Sequence, residues 1–322
     1  MQASPLAAAS RVNLVWLLAL LAFLIGPSYL PAEEAAVAEP AAVAQADEQP
    51  ADQAEQEADN DDDKFLRVTR DNDGNPLSLD TAVVSYIAAM GGNKGLRVDL
   101  VGAVHVGEKS YYEALNGLFN EYDVVLYELV APEGTRIEKG AKADSRHPLG
   151  MMQGGMKDML KLEHQLEQVD YTKENFVHAD MSPEDFAKSM KDRGESFLGM
   201  FFRAMGQGMA QQSKQNQVSD ADILIALFSR DRDLKLKQMM ATQFEDLETA
   251  MTAFSGPDGS TIIHERNNVA LAVLGEQIKA GKKKIAVFYG AGHLPDMHEK
   301  LEKDFQLTRD NVRWLPAWKL TR

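Results

Sequence analysis

Val98-Asp99-Leu100-Val101-Gly102-Ala103-Val104-His105 is an apolar, β-prone run that meets a glycine and ends on a histidine. Ile285-Ala286-Val287-Phe288-Tyr289-Gly290-Ala291-Gly292-His293 repeats the pattern near the other end of the chain. Each run leads into a helix-like stretch and then another apolar run, Asp123 to Leu129 after the first and Val312 to Trp318 after the second. The unit strand–GAxH–helix–strand therefore occurs twice. A strand that hands a histidine to a glycine-containing turn sets the imidazole at its carboxyl end. In open α/β sheets that edge is where ligands bind. The reading that follows is an α/β fold with a central mixed sheet, in which two strand-end histidines share one site.

The remaining segments fit around this unit. Phe65 to Arg70 and Leu77 to Ala88 read as strands joined by Asp71-Asn72-Asp73-Gly74-Asn75, which is strong turn chemistry. Gly91 to Gly95 marks a second turn. Residues 108–122 carry apolar side chains at Tyr111, Tyr112, Leu115, Leu118 and Phe119, the spacing of one helix face. Asp123 to Leu129 is apolar apart from Asp123 and Glu128, as in a strand covered on both faces. The middle differs, and about 141–255 is expected to form a helical cap inserted into the domain. Met151, Met152, Met156 and Met159, and the cluster Met200, Phe201, Phe202, Met205 and Met209, read as adaptable helical packing. Within it, 175–180 reads as a short strand, and Ser182-Pro183-Glu184 starts a helix with serine as cap and proline at its first position. Residues 219–254 read as further helix. Residues 260–279 read as the last long helix before the second histidine unit. Its apolar stripe is Ile263, Asn267, Ala270, Leu271, Leu274 and Ile278, with Arg266 beside it and Glu265 nearly opposite.

The amino terminus reads as targeting sequence. Arg11 precedes the apolar run Val12 to Ile25, which Gly26-Pro27 ends. A spanning helix needs about 20 apolar residues, and this run is shorter, so residues 1–32 read as a secretory signal peptide. Small-residue cleavage positions follow, after Ala32 or at Ala36-Val37-Ala38 and Ala42-Val43-Ala44. If uncleaved, residues 12–30 anchor the protein in a membrane. Export to a periplasmic or extracellular compartment is the expected localisation. Residues 33–63 hold twelve acids and no Lys or Arg, and read as an acidic disordered linker. Without it the formal charge of −15 falls to about −4 for the α/β domain, residues 64–322. No basic cluster marks a nucleic-acid surface. The absence of cysteine excludes disulfides and cysteine zinc motifs.

His105, His293 and Glu128 are the candidate metal ligands. A lone carboxylate ending an apolar strand is costly unless paired or metal-bound. Two imidazoles and a carboxylate make a first shell with room for water or substrate. They also suit metal-free acid–base work. Asn267 and Arg266, placed inward by the helical stripe, are the candidate substrate-binding residues. His178 and Asp180 are secondary candidates at a short strand's end, with an N-cap role as the plainer reading of Asp180. His147, His164, His264 and His298 lack supporting context, and His298 reads as a solvated helix position.

Gly102 to His105, Tyr127-Glu128-Leu129, Glu265-Arg266-Asn267 and Gly290 to His293 with Leu294-Pro295 stand in an order that resembles the TraB/PrgY/GumN family. Its relatives include the Tiki proteases and, more distantly, erythromycin-esterase-like and ChaN-like proteins. The resemblance spans roughly 97–318 and departs from the family's pattern at Asp296, usually glycine, and at Val130, usually acidic. It implies a hydrolytic site dependent on a divalent metal ion (Mn, Co or Zn), proteolytic in the Tiki branch. His105 and His293 would be ligands, Glu128 a ligand or base, and Glu265 and Arg266 catalytic neighbours.

Two functions follow as expectations. The first is an exported metal-dependent hydrolase acting on a peptide or small-molecule substrate, with no nucleic-acid partner and membrane contact only through an uncleaved amino terminus. The second is a non-catalytic envelope protein that binds or sequesters a peptide or haem through the same histidines.

Overall fold

A computed structural model describes residues 64–88, 94–132, 157–196, 228–244 and 259–322, with a few positions between 134 and 226. The signal segment, the acidic linker, Met151, Met152, Met156, the Met200–Met209 cluster and most of the cap region lie outside the described residues.

Nine strands are described. They are β1 (Leu66–Arg70), β2 (Pro76–Ala88), β3 (Arg97–Ala103), β4 (Val106–Gly107), β5 (Val124–Tyr127), β6 (Glu163–His164), β7 (Phe176–His178), β8 (Lys284–Gly290) and β9 (Leu307–Lys319). The helices are α1 (Lys109–Leu118), α2 (Gln165–Gln168), α3 (Pro183–Asp192), α4 (Arg232–Phe244), α5 (Arg266–Lys279) and α6 (Leu294–Lys303). Seven strands form one mixed sheet in the order β1-β2-β3-β8-β5-β7, with β9 also paired to β2. The long strand β2 is shared. Its first half pairs with β1, its second half with β3, and β9 runs antiparallel along its other edge. From β3 onward the neighbours are parallel. This is the α/β architecture with a mixed sheet that the sequence predicts.

The two histidine strands are direct neighbours. β3 and β8 pair in parallel with Gly102 opposite Tyr289 and Ala103 opposite Gly290, so the two glycine phrases sit one residue out of step. The offset matters because side chains alternate faces along a strand. Beyond β3 the chain bends at His105 and enters β4, which pairs with β6 as a separate two-stranded ribbon. Beyond β8 it turns at once through a 3₁₀ turn, Ala291–His293, into α6. The returns differ as well. β5 comes back parallel to β8, whereas β9 comes back antiparallel to β2. The order strand, histidine, helix, strand thus occurs twice, and the two units differ in the short strand β4 that follows the first histidine and in the direction of the closing strand.

Period-two alternation places a core on each face. Val101, Ala103, Val125, Tyr127, Ala286 and Phe288 face α1 through Tyr111, Tyr112 and Leu115. Val98, Leu100, Val124, Leu126, Ile285 and Val287 face α5 and α6 through Ala270, Leu271, Leu274, Leu294, Met297 and Leu301. Covering both faces explains why β5 is buried along its whole length. The helix expected over 108–122 ends at Leu118 and tightens into a 3₁₀ turn, Phe119–Glu121. Ser182 caps α3 by accepting the Asp185 N–H at 3.0 Å, with Pro183 at the first position, as read.

Gly102 has an ordinary strand role for which only glycine has room. A Cβ there would sit 3.2 Å from the Ala82 carbonyl oxygen and 3.2 Å from Leu294 Cδ1. Backbone cannot yield cheaply in a packed sheet. Gly102→Ala is expected to cost about 1–3 kcal/mol through overpacking. Urea unfolding measures this. A variant as stable as wild type would show that β2 and α6 separate from β3 more readily than the packing implies.

Candidate functional site

The carboxyl ends of β3, β5 and β8 converge. A Cβ on Gly290 would lie 3.3 Å from Glu128 Oε2, 3.7 Å from His293 Cδ2 and 3.9 Å from His105 Nε2. The three residues expected to share a site therefore surround one point, and all are buried. Glycine at 290 leaves that point open. Its N–H donates to Glu128 Oε2 at 2.7 Å, which ties the end of β8 to the residue that follows β5.

Arg266 enters from the first residue of α5. Its Nε and Nη2 donate to Asp180 Oδ1 and Oδ2 at 2.9 and 2.6 Å, and Nη2 also donates to Glu128 Oε1 at 2.7 Å. The three side chains form a charged triad, with Arg266 and Glu128 at most 2% exposed. A fork that fits a carboxylate bidentately is the best way to bury such a charge. Burial alone would raise the Glu128 pKa, but Arg266, the two imidazoles and the Gly290 N–H outweigh it and hold it at about 2. With Glu128 and Asp180 charged and Arg266 between them, the cluster carries one net negative charge.

His293 has one nitrogen fixed. Asn267 Nδ2 donates to the His293 carbonyl at 3.0 Å and to Asp296 Oδ2 at 2.7 Å. Both partners only accept, so Asn267 Oδ1 faces the ring and accepts the Nδ1–H at 2.7 Å. Nε2 is left with its lone pair, buried and without a hydrogen-bond partner, 3.5 Å from Glu128 Oε1. Burial pushes the ring's pKa down to about 3. Asp296 stands where the resembled family has glycine, and here it orients Asn267. Lys300 in turn donates to Asp296 Oδ2 at 2.7 Å.

His105 is buried with neither ring nitrogen hydrogen-bonded. Burial lowers its pKa, while Glu128 and the side chain of Gln165 act in the opposite direction. The backbone beside it is held by the Gln165 N–H, which donates to the His105 carbonyl at 2.8 Å.

Several expectations need correction. Asp180, given the plainer role of an N-cap, is instead the bidentate partner of Arg266, and Ser182 is the cap. Glu265 does not join the cluster. It pairs with Arg193 at 3.3 Å on a side chain 34% exposed, as its position opposite the apolar stripe implies. Arg266 and Asn267 face inward as read, with Arg266 Nε and Nη2 bonded to Asp180 and Glu128 and Asn267 bonded to His293 and Asp296. The helix over 260–279 opens with a π-helical turn, Thr261–Glu265, before α5 begins at Arg266. His298 is half-buried rather than fully solvated, with Tyr86 OH 2.8 Å from its Nδ1 and Phe65 nearby. His178 Nε2 lies 2.6 Å from the Leu129 carbonyl, outside the cluster.

Sequence reading missed His164 and Gln165. β6 pairs with β4 and brings both beside His105. Burial, helped by the neighbouring His105 ring, holds the His164 pKa down to about 3. Nothing in their local sequence signals this, because the contact is made by a two-residue ribbon.

Among the described residues, no group of three His, Asp or Glu side chains is arranged as a metal shell. The donors nonetheless suit an ion in kind. Three ring nitrogens of His105 and His293 are buried without partners, and an anionic oxygen faces one of them. Compared with family models, curated proteins and solved structures, the chain finds no match.

Proposed function

We propose that this chain is an exported, metal-dependent hydrolase whose site is built on His105, His293 and Glu128. The carrying observation is the pair His293 Nε2 and Glu128 Oε1, facing at 3.5 Å. Asn267 holds the proton on Nδ1, so a lone pair meets a carboxylate oxygen in a buried place. Two acceptors face to face are reconciled by a proton or a cation. The low pKa of His293 argues against the proton at neutral pH. The net negative charge of the Glu128–Arg266–Asp180 cluster favours the cation.

His105 Nε2 and His293 Nε2 would hold the ion, with Glu128 as the nearest carboxylate. A divalent ion there would polarise a substrate carbonyl and lower the pKa of a bound water. Arg266 keeps Glu128 charged and aimed. Held at about 2, Glu128 is a firm charge and a weak base, which favours its role as ligand over proton acceptor. Asn267 fixes the His293 tautomer, the usual service of a group behind a metal-bound imidazole. The resemblance of the GAxH phrases and the Glu265-Arg266-Asn267 helix to the TraB/PrgY/GumN family points the same way, toward peptide bonds or another small acyl substrate. The apolar run Val12 to Ile25 supports export.

Metal analysis of the full chain tests the reading. The expected result is about one Mn, Co or Zn per chain, lost in His105→Ala and His293→Ala, together with peptide or ester hydrolysis that a chelator abolishes and the metal restores. A chain that takes up no divalent ion, and instead gives a Soret band with haem, would replace this reading with sequestration.

A further inference from the structure

We propose that Gln165 is a positioning residue for His105: its carboxamide oxygen accepts the proton of His105 Nδ1 and leaves Nε2 as the free lone pair. The pairing of β4 with β6 sets Val106 opposite His164 and Gly107 opposite Glu163. Just beyond this ladder the Gln165 N–H, at the first residue of α2, donates to the His105 carbonyl at 2.8 Å, which fixes the two residues side by side. The Gln165 side chain also acts on the His105 ring as a hydrogen-bonding group.

The hydrogen-bonding inventory then leaves one consistent assignment. Gln165 Nε2 donates to Tyr171 OH at 2.8 Å. Gln165 Oε1 is buried and without a partner, as are both ring nitrogens of His105. Buried polar groups are rarely left so. His105 Nε2 is the ring atom nearest the open point beside Gly290, 3.9 Å from a Cβ placed there, and so faces Glu128 and His293. Nδ1, nearer the backbone, is the nitrogen turned to Gln165. An Nδ1–H bonded to Gln165 Oε1 satisfies two of the three orphaned atoms at once. The third, Nε2, is the atom a ligand would use. The arrangement matches the one formed on the other strand by Asn267 and His293, where a carboxamide oxygen also takes the Nδ1–H at 2.7 Å. Two carboxamides from unrelated segments thus set two imidazoles with their Nε2 lone pairs toward one point.

The tautomer of His105 is measurable without any metal, by ¹⁵N NMR of the histidine rings in the full chain under chelator, with His105→Gln identifying the signals. Nδ1 should be protonated and Nε2 bare. In Gln165→Met the ring should become a mixture of tautomers, and in Gln165→Glu it should return to the Nδ1–H form. A protonated Nε2 in wild type, which an amide turned the other way would give, overturns the inference. So does a Gln165→Met spectrum identical to wild type. If Gln165→Met does not fold, the wild-type and Gln165→Glu spectra still decide. A second arm rests on the metal-site reading: Zn²⁺ affinity should fall about 10–100-fold in Gln165→Met and be kept in Gln165→Glu. An Nδ1–H tautomer with no Zn²⁺ binding in wild type would sink the metal reading and leave the role of Gln165 standing.

Discussion

Arg266→Met will destabilise the domain by about 3–5 kcal/mol, the cost of removing one partner from a buried ion group. By length and apolar stem the substitution is mild, but the charge that it removes is buried. Arg266 is the cation between Glu128 and Asp180, all three buried. Without it two carboxylates face each other in a place that water does not reach. Their simplest relief is to share a proton, as close carboxylates do. The loss relative to wild type should therefore be larger at pH 8 than at pH 5. Urea unfolding at the two pH values measures both the size and the trend. Adding Asp180→Asn should recover part of the loss, since it removes one of the two stranded charges, and the two effects will not add. A single variant within about 0.5 kcal/mol of wild type at pH 8, the range of ordinary surface changes, would mean that the triad is solvated and that Glu128 does not depend on Arg266.

The fold was readable where one periodicity ruled. β5 and β8 are short apolar runs ended by polar residues or glycine, and α5 carries a single apolar stripe, so their types and inward faces follow from spacing. The meeting of His105, Glu128 and His293 was readable because strand ends in a parallel sheet fall on one edge. The triad's third member was not. Asp180 follows a three-residue strand and precedes a serine that caps the next helix, and local chemistry cannot say which of two neighbouring polar residues turns inward. His164 and Gln165 were invisible for a related reason. A two-residue ribbon leaves no periodic trace, yet it fixes the register that brings both to His105. Glu265 illustrates the converse, since the family resemblance made it a catalytic neighbour of Arg266, while a step of about 100° on a helix turns it toward Arg193.

Acid will destabilise this domain before its ordinary carboxylates titrate. His105, His164 and His293 are buried and neutral, their pKa values pushed down by burial, the latter two to about 3. In the unfolded chain an imidazole titrates near 6.5. Between those values the unfolded state binds more protons than the native one, so stability falls as pH falls. Each such ring removes about 1.4 kcal/mol per pH unit. His164 and His293, acting from about pH 6.5 to 4.5, withdraw on the order of 6 kcal/mol, comparable with the whole stability of a typical domain, and His105 acts in the same direction. Glu128 adds to the loss only later, as pH falls from its ordinary value of 4.5 toward about 2. The measurement is unfolding by circular dichroism against pH, with a chelator present so that only the fold is read. His164→Asn is the informative variant. His164 caps α2 by accepting the Leu166 N–H at 3.2 Å, and asparagine is a good N-cap that does not titrate. The variant should keep its stability at pH 8 and lose about 1.4 kcal/mol per pH unit less than wild type on acidification. An unchanged slope would show that His164 takes up its proton in the native state, and a wild-type stability that does not fall between pH 6.5 and 4.5 would show the same of His293, whose lone pair on Nε2 would then lose its basis.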